Sequence, residues 1–319
     1  MITVLISSAG ATNGVNVIKA LRQSDLSLRL IAVDCDPLAS GLFLADESFV
    51  IPRNDDPDFA PTMIQICKEQ KVEIALPIFS ADFPAYRKLQ AFLEESSIKT
   101  YSIPESTLAI CWNKLKTIEH LEAIGIPCPE TFCWDDDPPP GAFPLFKKRI
   151  EGTGTKDVRI IRSQEEFICH SEPGFIFQRY LDGEEFTIDM ISDLHGRVLI
   201  ASPRKRLKVY GGLSTCGVTI ADQDIEDSSR HIADSLGLVG PSNVQCKRKN
   251  GELYFYDINP RFASGGLPLA VAAGVNMPEI LIRLIAGLTL PAQQKPKAGV
   301  YMVRYWESII CEKPHETIN

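Results

Sequence analysis

The stretch Leu253-Tyr254-Phe255-Tyr256-Asp257-Ile258-Asn259-Pro260-Arg261-Phe262 decides how this chain is read. An apolar run that closes in Asn-Pro describes a strand and its exit from a sheet. Side chains alternate faces along a strand, so Leu253 and Phe255 are expected on one face with Asp257 and Asn259. An acid and an amide two residues apart, with an arginine beyond, suit a charged ligand. Oxygen donors favour a hard cation such as magnesium, and a guanidinium favours phosphate. A plain structural strand leaving its sheet accounts for the same residues.

Just upstream, Ser242-Asn243-Val244-Gln245-Cys246 is expected to pair antiparallel with this strand across Lys249-Asn250-Gly251. A two-residue Asn250-Gly251 turn would set Gln245 opposite Tyr256, facing away from Asp257. A three-residue loop would set Gln245 opposite Phe255, on the Asp257 face, with Asn243 opposite Asp257. Only the second register would let Gln245 share a ligand with Asp257.

The chain of 319 residues is long enough for two or three packed units. It is 45% hydrophobic and 23% charged, as ordinary globular proteins are. A formal charge of -8 speaks against general binding to nucleic acid or to an anionic membrane. Nine cysteines, an odd number without a Cys-x-x-Cys pair, point to reduced thiols and a cytoplasmic location. The apolar start at residues 2–6 has no basic leader and reads as a first core strand rather than an export signal. The apolar stretch 267–290 is interrupted by Pro268, Gly274, Asn276, Pro278, Glu279 and Arg283, which excludes a membrane span.

The N-terminal third alternates strand and helix patterns. Strands are expected at 3–7, 30–33 and 72–78. Helices are expected after Gly14, at 59–69 and at 85–94, with Phe59, Met63, Ile66 and Cys67 on one stripe. This alternation implies a parallel α/β sheet. A boundary falls near 102–105, and a helix over 114–125 is closed by Gly125 with Pro127 and Pro129 beyond it. After the acidic, proline-dense loop 135–141, short antiparallel strands follow at 144–149, 158–161, 175–180, 185–192, 198–203 and 217–220. Helices are expected at 224–236 and 277–286. The fold class is therefore α/β followed by α+β.

Three further clusters carry chemistry. The strand around 143–149 delivers Lys148 into Glu151-Gly152-Thr153-Gly154-Thr155-Lys156, whose N–H groups and hydroxyls suit phosphates. The loop lacks the Gly-x-x-x-x-Gly-Lys-Ser/Thr pattern and opens no helix, so a hairpin with solvated lysines is the plain alternative. The run 175–189 places Glu184 and Glu185 beside a turn between two β-rich segments, where backbone edges and an acid can read adenine and ribose. A simple hairpin predicts the same residues. Arg204-Lys205-Arg206-Leu207-Lys208 reads either as a phosphate or carboxylate site or as a solvated basic loop. The turn Gly10 to Gly14 with Asp34 invites an NAD-binding oxidoreductase, but its glycines miss the Gly-x-Gly-x-x-Gly spacing. The five histidines do not cluster with cysteine at zinc spacing, and Ser214 lacks a Gly-x-Ser-x-Gly elbow.

In this order the pieces resemble the ATP-grasp superfamily, in the branch related to the carbamoyl-phosphate synthase large chain and its stand-alone carboxylate–amine ligases. The likeness runs over nearly the whole chain. Residues 2–101 resemble the preceding α/β domain, and Asn113-Lys114-Leu115 with Gly125-Ile126-Pro127 resembles the opening of the ATP-grasp region. Phe143-Pro144 with Lys148 resembles the strand of the phosphate-binding lysine, and Gly152-Thr153-Gly154 the flexible glycine loop. Gln178-Arg179-Tyr180-Leu181 resembles the adenine-contacting hinge, with Glu185 as the ribose acid. Asp257-Ile258-Asn259-Pro260-Arg261 resembles the metal and phosphate signature, and Gln245 matches a residue near the same metals. Asp257 stands where the family usually has Glu, Gln245 where some relatives have Glu, and Arg149 where proline is common. These departures leave open the metal stoichiometry and a weakly active member.

The resemblance implies three units: 1–104, a pre-ATP-grasp α/β domain; 105–182, a small lobe with its leading helix; and 183–319, the metal-bearing lobe. It implies ATP held by Lys114, Lys148, the hinge and Glu185. Magnesium, as one or two ions that manganese could replace, would sit on Gln245, Asp257 and Asn259. Arg261, with Lys205, Arg206 or Arg204, would neutralise the transferring phosphoryl group. The reaction implied joins a substrate carboxylate to an amine through an acylphosphate, with 151–156 as a lid and 262–266 beside the acceptor. Acceptor choice is expected to lie in 78–83, 204–215 and 264–267. Small-molecule acid and amine partners, no nucleic acid, no membrane and a homodimer are the partners implied. A non-catalytic nucleotide-binding regulatory protein is the alternative, and the segment 301–319 is an added strand or a dimer contact.

Overall fold

The computed structural model describes residues 1–152, 157–292 and 295–316. The chain opens with β1 (Ile2–Ile6), α1 (Thr12–Leu21), β2 (Leu28–Asp34), β3 (Glu47–Val50), α2 (Phe59–Gln70), β4 (Ile74–Leu76) and α3 (Asp82–Glu95). These form a four-stranded sheet of order β3-β2-β1-β4, parallel throughout. Its central strands are buried on both faces, which is why they read as unbroken apolar runs. Helices α2 and α3 cover one face through Phe59, Met63, Ile66 and Leu89 against Leu5, Ile31 and Val33.

Next come α4 (Glu105–Trp112), α5 (Lys114–Ala123), β5 (Thr131–Cys133), β6 (Leu145–Arg149), β7 (Arg159–Ile161), α6 (Gln164–His170) and β8 (Phe175–Arg179). Strands β5-β8-β6-β7 make a small antiparallel sheet. It has its own core of Leu145, Ile161, Phe167, Phe175 and Phe177. The remainder is β9 (Glu184–Ser192), β10 (Val198–Tyr210), β11 (Leu213–Thr219), α7 (Gln223–Leu236), β12 (Pro241–Lys249), β13 (Glu252–Asn259), α8 (Leu267–Ala272), α9 (Met277–Ala286) and β14 (Tyr301–Val303). Six of these strands form an antiparallel sheet of order β13-β12-β9-β10-β11-β14. Helix α7 packs on it through Ile225, Ile232 and Leu236. Helices α8 and α9 turn back to the first sheet: Leu267, Ala270, Leu281 and Ile282 share a core with Val4, Ile6, Val17 and Leu30.

Several expectations change. The basic run 204–208 is not a loop: β10 continues through it to Tyr210, paired on both edges as far as Lys205 and with β11 beyond. The segment after 300 supplies β14, which pairs antiparallel with β11. Strands β3 and β5 and helices α4, α6 and α8 were not signalled by apolar periodicity; each is short or only half-covered. Among the described residues no helix is long and apolar enough to cross a membrane.

The β12–β13 hairpin follows neither expected register. Asn250 and Gly251 form a two-residue turn with φ of 53 and 88°, the left-handed pair that a tight hairpin requires. Pairing then runs regularly to Cys246 opposite Phe255. There the register shifts by one residue, a bulge at Tyr256, so that Gln245 faces Asp257 and Asn243 faces Asn259. The simple alternation expected for β13 fails at the same place. Phe255 and Ile258 are core residues, whereas Tyr256, Asp257 and Asn259 all line the cavity.

Candidate active site

A cavity of about 960 Å³ lies between the small sheet, the large sheet and the C-terminal edge of the parallel domain. Asn113 caps α5 by accepting from the Leu115 and Lys116 N–H groups, which fixes Lys114 at the first helical position. The Lys114 ammonium donates to the Gly152 carbonyl at 2.8 Å. Burial draws its pKa below the ordinary lysine value, against the opposing pull of Asp257. Lys148 is buried on β6 and donates to the carbonyl of the bulge residue Tyr256 at 3.3 Å. Burial pushes its pKa down to about 8, although Asp257 favours the charged form.

Gln178, Arg179, Tyr180 and Leu181 line the cavity where β8 leaves the small sheet. The Arg179 N–H donates to Glu130 O and the Tyr180 N–H to Pro144 O, which pins the backbone. The Gln178 amide donates to Thr131 Oγ1, and the Arg179 guanidinium pairs with Glu130 at 2.8 Å. Lys247, not singled out from the sequence, reaches the Leu181 carbonyl at 2.9 Å and lies 5.2 Å from the Tyr180 ring.

Beyond the hinge, Glu185 accepts from Arg206 at 2.5 Å and from the Tyr256 hydroxyl at 2.9 Å, both on Oε1. Burial, aided by that carboxylate, lifts the Tyr256 phenol well above its ordinary pKa. Arg206 also donates to Gln245 Oε1, Ser214 Oγ and Gly212 O. Arg204, two residues away on the same face, pairs with Asp189 at 2.7 Å, both side chains 4% exposed, and shares Ser214 Oγ. A Cβ on Gly266 would collide with both members of that pair, so only glycine lets the loop lie across them. Lys205 does not join this group: alternation turns it away from the cavity wall, and it pairs with Glu184.

Across the cavity, the Asn259 amide donates to Asp257 Oδ2 at 2.7 Å, and Arg261 donates to Asn259 Oδ1 at 3.1 Å. The Arg261 Nε is buried without a partner, and its guanidinium lies 5.8 Å from the Phe79 ring. Burial holds Arg261 below its usual pKa. The following loop is braced from both ends of the chain: the Ser264 carbonyl accepts from Asn16 of α1 and from Arg304 just after β14, each at 3.0 Å.

Of the residues expected at the site, Lys114, Lys148, Gly152, Gln178, Arg179, Tyr180, Leu181, Glu185, Arg206, Gln245, Asp257, Asn259 and Arg261 line one cavity. Thr153 and Gly154 lie outside the described residues. Asp189 and Tyr256 escaped the sequence reading, and Ser214 was weighed there only as a nucleophile. The alternation of β9 and β10 could have found Asp189 on the face of Arg204 once the basic run is taken as strand, whereas Tyr256 reaches the cavity through the bulge.

A parallel α/β domain followed by two antiparallel sheets that close on one charged cleft defines the class, the ATP-grasp fold. Family comparison agrees. Residues 171–309 match a family described as ATP-grasp in the biosynthetic pathway with Ter operon, and residues 4–100 match the PylC-like N-terminal domain. The carbamoyl phosphate synthase large chain of Clostridium beijerinckii is 23% identical over 300 residues, covering 86% of this chain and 27% of that one. The chain thus spans about a quarter of the length of such relatives. The 3-methyl-D-ornithine–L-lysine ligase of Methanosarcina acetivorans is 26% identical over 262 residues, covering 80% and 67% of the two chains. Among solved structures, biotin carboxylase from Campylobacter jejuni superposes with a TM-score of 0.74 at 14% identity, covering 94% of this chain and 74% of the other. For N5-carboxyaminoimidazole ribonucleotide synthetase from Thermus thermophilus the TM-score is 0.69 at 17% identity, with 94% and 81% covered. The chain thus has the ATP-grasp fold, with a match to an ATP-grasp family at residues 171–309 behind a PylC-like N-terminal domain, and it is similar over most of its length to the carbamoyl phosphate synthase large chain. A biotin carboxylase domain from Hydrogenobacter thermophilus, with a TM-score of 0.71 at 17% identity, was solved in complex with MgADP, ADP and bicarbonate.

Proposed function

We propose that this chain is an ATP- and magnesium-dependent ligase that activates a substrate carboxylate and joins it to an amine. The observation that carries the reading is the convergence of Lys114, Lys148, Asp257, Asn259 and Arg261 on one cavity of an ATP-grasp fold. In this reading 1–104, 105–182 and 183–319 act as the leading domain, the small lobe and the metal-bearing lobe. The backbone of Gln178 to Leu181 takes the adenine edge, and the free Oε2 side of Glu185 takes a ribose hydroxyl. Lys114 and Lys148 bind phosphate oxygens, with Gly152 beside Lys114.

The donor set suits magnesium: one carboxylate, Asp257, with the amides of Asn259 and Gln245, the remaining ligands coming from phosphate and water. Both amide oxygens accept from guanidiniums, Gln245 from Arg206 and Asn259 from Arg261. These are the oxygens that would hold a cation, and Arg206 and Arg261 would then be available to phosphate. One or two ions, with manganese as a substitute, fit this scheme. When bound, the ion supplies charge neutralisation at the phosphates.

A carboxylate oxygen attacks the γ-phosphorus as the bond to the bridging oxygen breaks, and ADP departs. Arg261 and Arg206 offset the charge on the transferring group. An amine then attacks the acyl carbon, phosphate leaves with the C–O bond electrons, and the amine loses a proton. Arg204, neutralised by Asp189, positions Ser214 and through it Arg206. The scheme is of a cytoplasmic enzyme with small-molecule substrates, acting as a homodimer.

The test is magnesium-dependent release of ADP and phosphate from ATP with pooled amino acids as acid and amine. Release is expected to need the pool and to fall at least about a hundredfold in Lys148→Ala and in Asp257→Ala. Nucleotide binding without release under every pool would favour the second reading, a non-catalytic nucleotide-binding protein. That reading has one observation in its favour: Arg206 already occupies Glu185 and Gln245.

A further inference from the structure

The cavity does not stop at Arg261. It continues between α3 and α4, whose contributions the nucleotide chemistry leaves unused. On α4, Glu105, Leu108, Ala109 and Trp112 fall at i, i+3, i+4 and i+7, a single stripe, and all four line the cavity. On the opposite face Thr107 is buried, and Ile110 and Cys111 lie against the large-sheet core. The stripe itself is divided: Leu108 packs against the core of the first sheet while also lining the cavity, and Trp112 is 38% exposed. Facing it, Pro84 and Arg87 sit one turn apart on α3, below Phe79.

The far end of this space carries two opposite charges side by side. Arg87 pairs with Glu105 at 2.9 Å and also donates to the Ile103 carbonyl. Both side chains keep solvent access, so each can exchange its partner for a ligand group. The near end carries Arg261, with an unpartnered buried Nε and Phe79 beside it. From Glu105 to Trp112 the stripe runs about 10 Å at the helical rise. A ligand matching this layout has a cation and an anion at one end, an aliphatic stem, and a second anion at the other.

We propose that the space between α3 and α4 is an amino-acid subsite. Arg87 and Glu105 read the α-carboxylate and α-ammonium groups, Leu108, Trp112, Phe79 and Pro84 cover the stem, and a side-chain carboxylate reaches Arg261. The occupant is an α-amino dicarboxylate that reacts through its side chain, giving an amide away from the α-carbon. A zwitterion replaces each half of the Arg87–Glu105 pair with an equal charge, so neither is left unmatched. The proposal rests on the ligase reading for the fate of the side-chain carboxylate, but not for binding.

The test separates the two. Glutamate, aspartate and 2-aminoadipate of both hands are titrated into the protein with ADP and magnesium, followed by calorimetry and tryptophan emission. Glutarate and N-acetylglutamate serve as analogues without the ammonium group. At least one amino dicarboxylate is expected to bind saturably, with an emission change that disappears in Trp112→Phe. Arg87→Ala and Glu105→Gln are each expected to weaken binding about tenfold or more, the loss of one charged hydrogen bond. ADP affinity stays unchanged in both, which shows the fold intact. Glutarate, lacking the ammonium group that Glu105 would meet, is expected to bind Glu105→Gln at least as tightly as it binds the unaltered protein. No saturable binding by any of the amino dicarboxylates, or equal binding in both variants, overturns the subsite. Saturable binding without ADP release overturns the ligase reading and leaves the subsite standing. ADP release that ignores both variants does the reverse.

Discussion

Lys148 shows how much a single burial decides. Its ammonium faces one backbone carbonyl and the ring of Tyr256, and in that setting its pKa falls from the ordinary 10.5 to about 8. Between these values the unfolded chain holds a proton that the folded chain has released. Stability contributed by this group therefore rises with pH from about 8 to 10.5 and is lower below that window. Phosphate reverses the preference by favouring the charged form. Binding ADP near pH 8.5 is expected to take up a proton, seen by calorimetry in buffers of different ionisation enthalpy, and ADP affinity should fall as pH rises above about 8. Lys148→Met should abolish the uptake; an unchanged uptake would place the proton on another group.

At the scale of the element, β13 explains which parts of the site the sequence could reveal. Asp257, Asn259 and Arg261 were legible because their spacing is local. That Asp257 and Asn259 share a face was legible too, but not that Phe255 lies on the other, because the bulge at Tyr256 arises in the pairing of β13 with β12. The bulge also brings the Tyr256 carbonyl to Lys148 and its hydroxyl to Glu185, linking β13 to β6 and β9. Lys205 was grouped with Arg206 for a similar reason. With 204–208 taken as loop, no alternation could sort inward from outward. Helix α4 was missed because its apolar residues are divided between the cavity and two cores. Helix α9 illustrates the opposite, a fully legible element with a testable cap. Asn276 accepts from the Glu279 N–H and donates to the Ala20 carbonyl of α1. Asn276→Ala is expected to lower unfolding free energy by about 1–2 kcal/mol, measured in urea, since it removes a cap and a tertiary hydrogen bond. A change within error would show that water replaces both.

The whole molecule is tied together by the core that α8 and α9 share with the parallel sheet. The order of α/β and α+β regions could be read from periodicity, but not that the last helices return to cover the first sheet. Nothing local encodes a contact between Val17 and Leu281. One consequence is measurable. A chain ending at Pro104 keeps all four parallel strands but leaves Val4, Ile6, Val17 and Leu30 without their partners from α8 and α9. It is expected to bind a hydrophobic dye and to lack cooperative unfolding, because the apolar face is left to water. A dispersed amide spectrum with a sharp thermal transition would show instead that the first sheet stands alone. The small sheet, by contrast, has a separate core of six buried residues.

The carbonyl of Ser264 gathers Asn16, made early in synthesis, and Arg304, made 40 residues after the loop itself. Vectorial translation thus leaves the loop after β13 held from one side only until residue 304 has cleared the ribosome. A nascent chain can carry Lys114 and Lys148 long before it can carry a braced loop. In the ligase proposed above, the acceptor side of the cavity would be the last part completed, and an unfinished chain would lack the loop that shields an activated carboxylate.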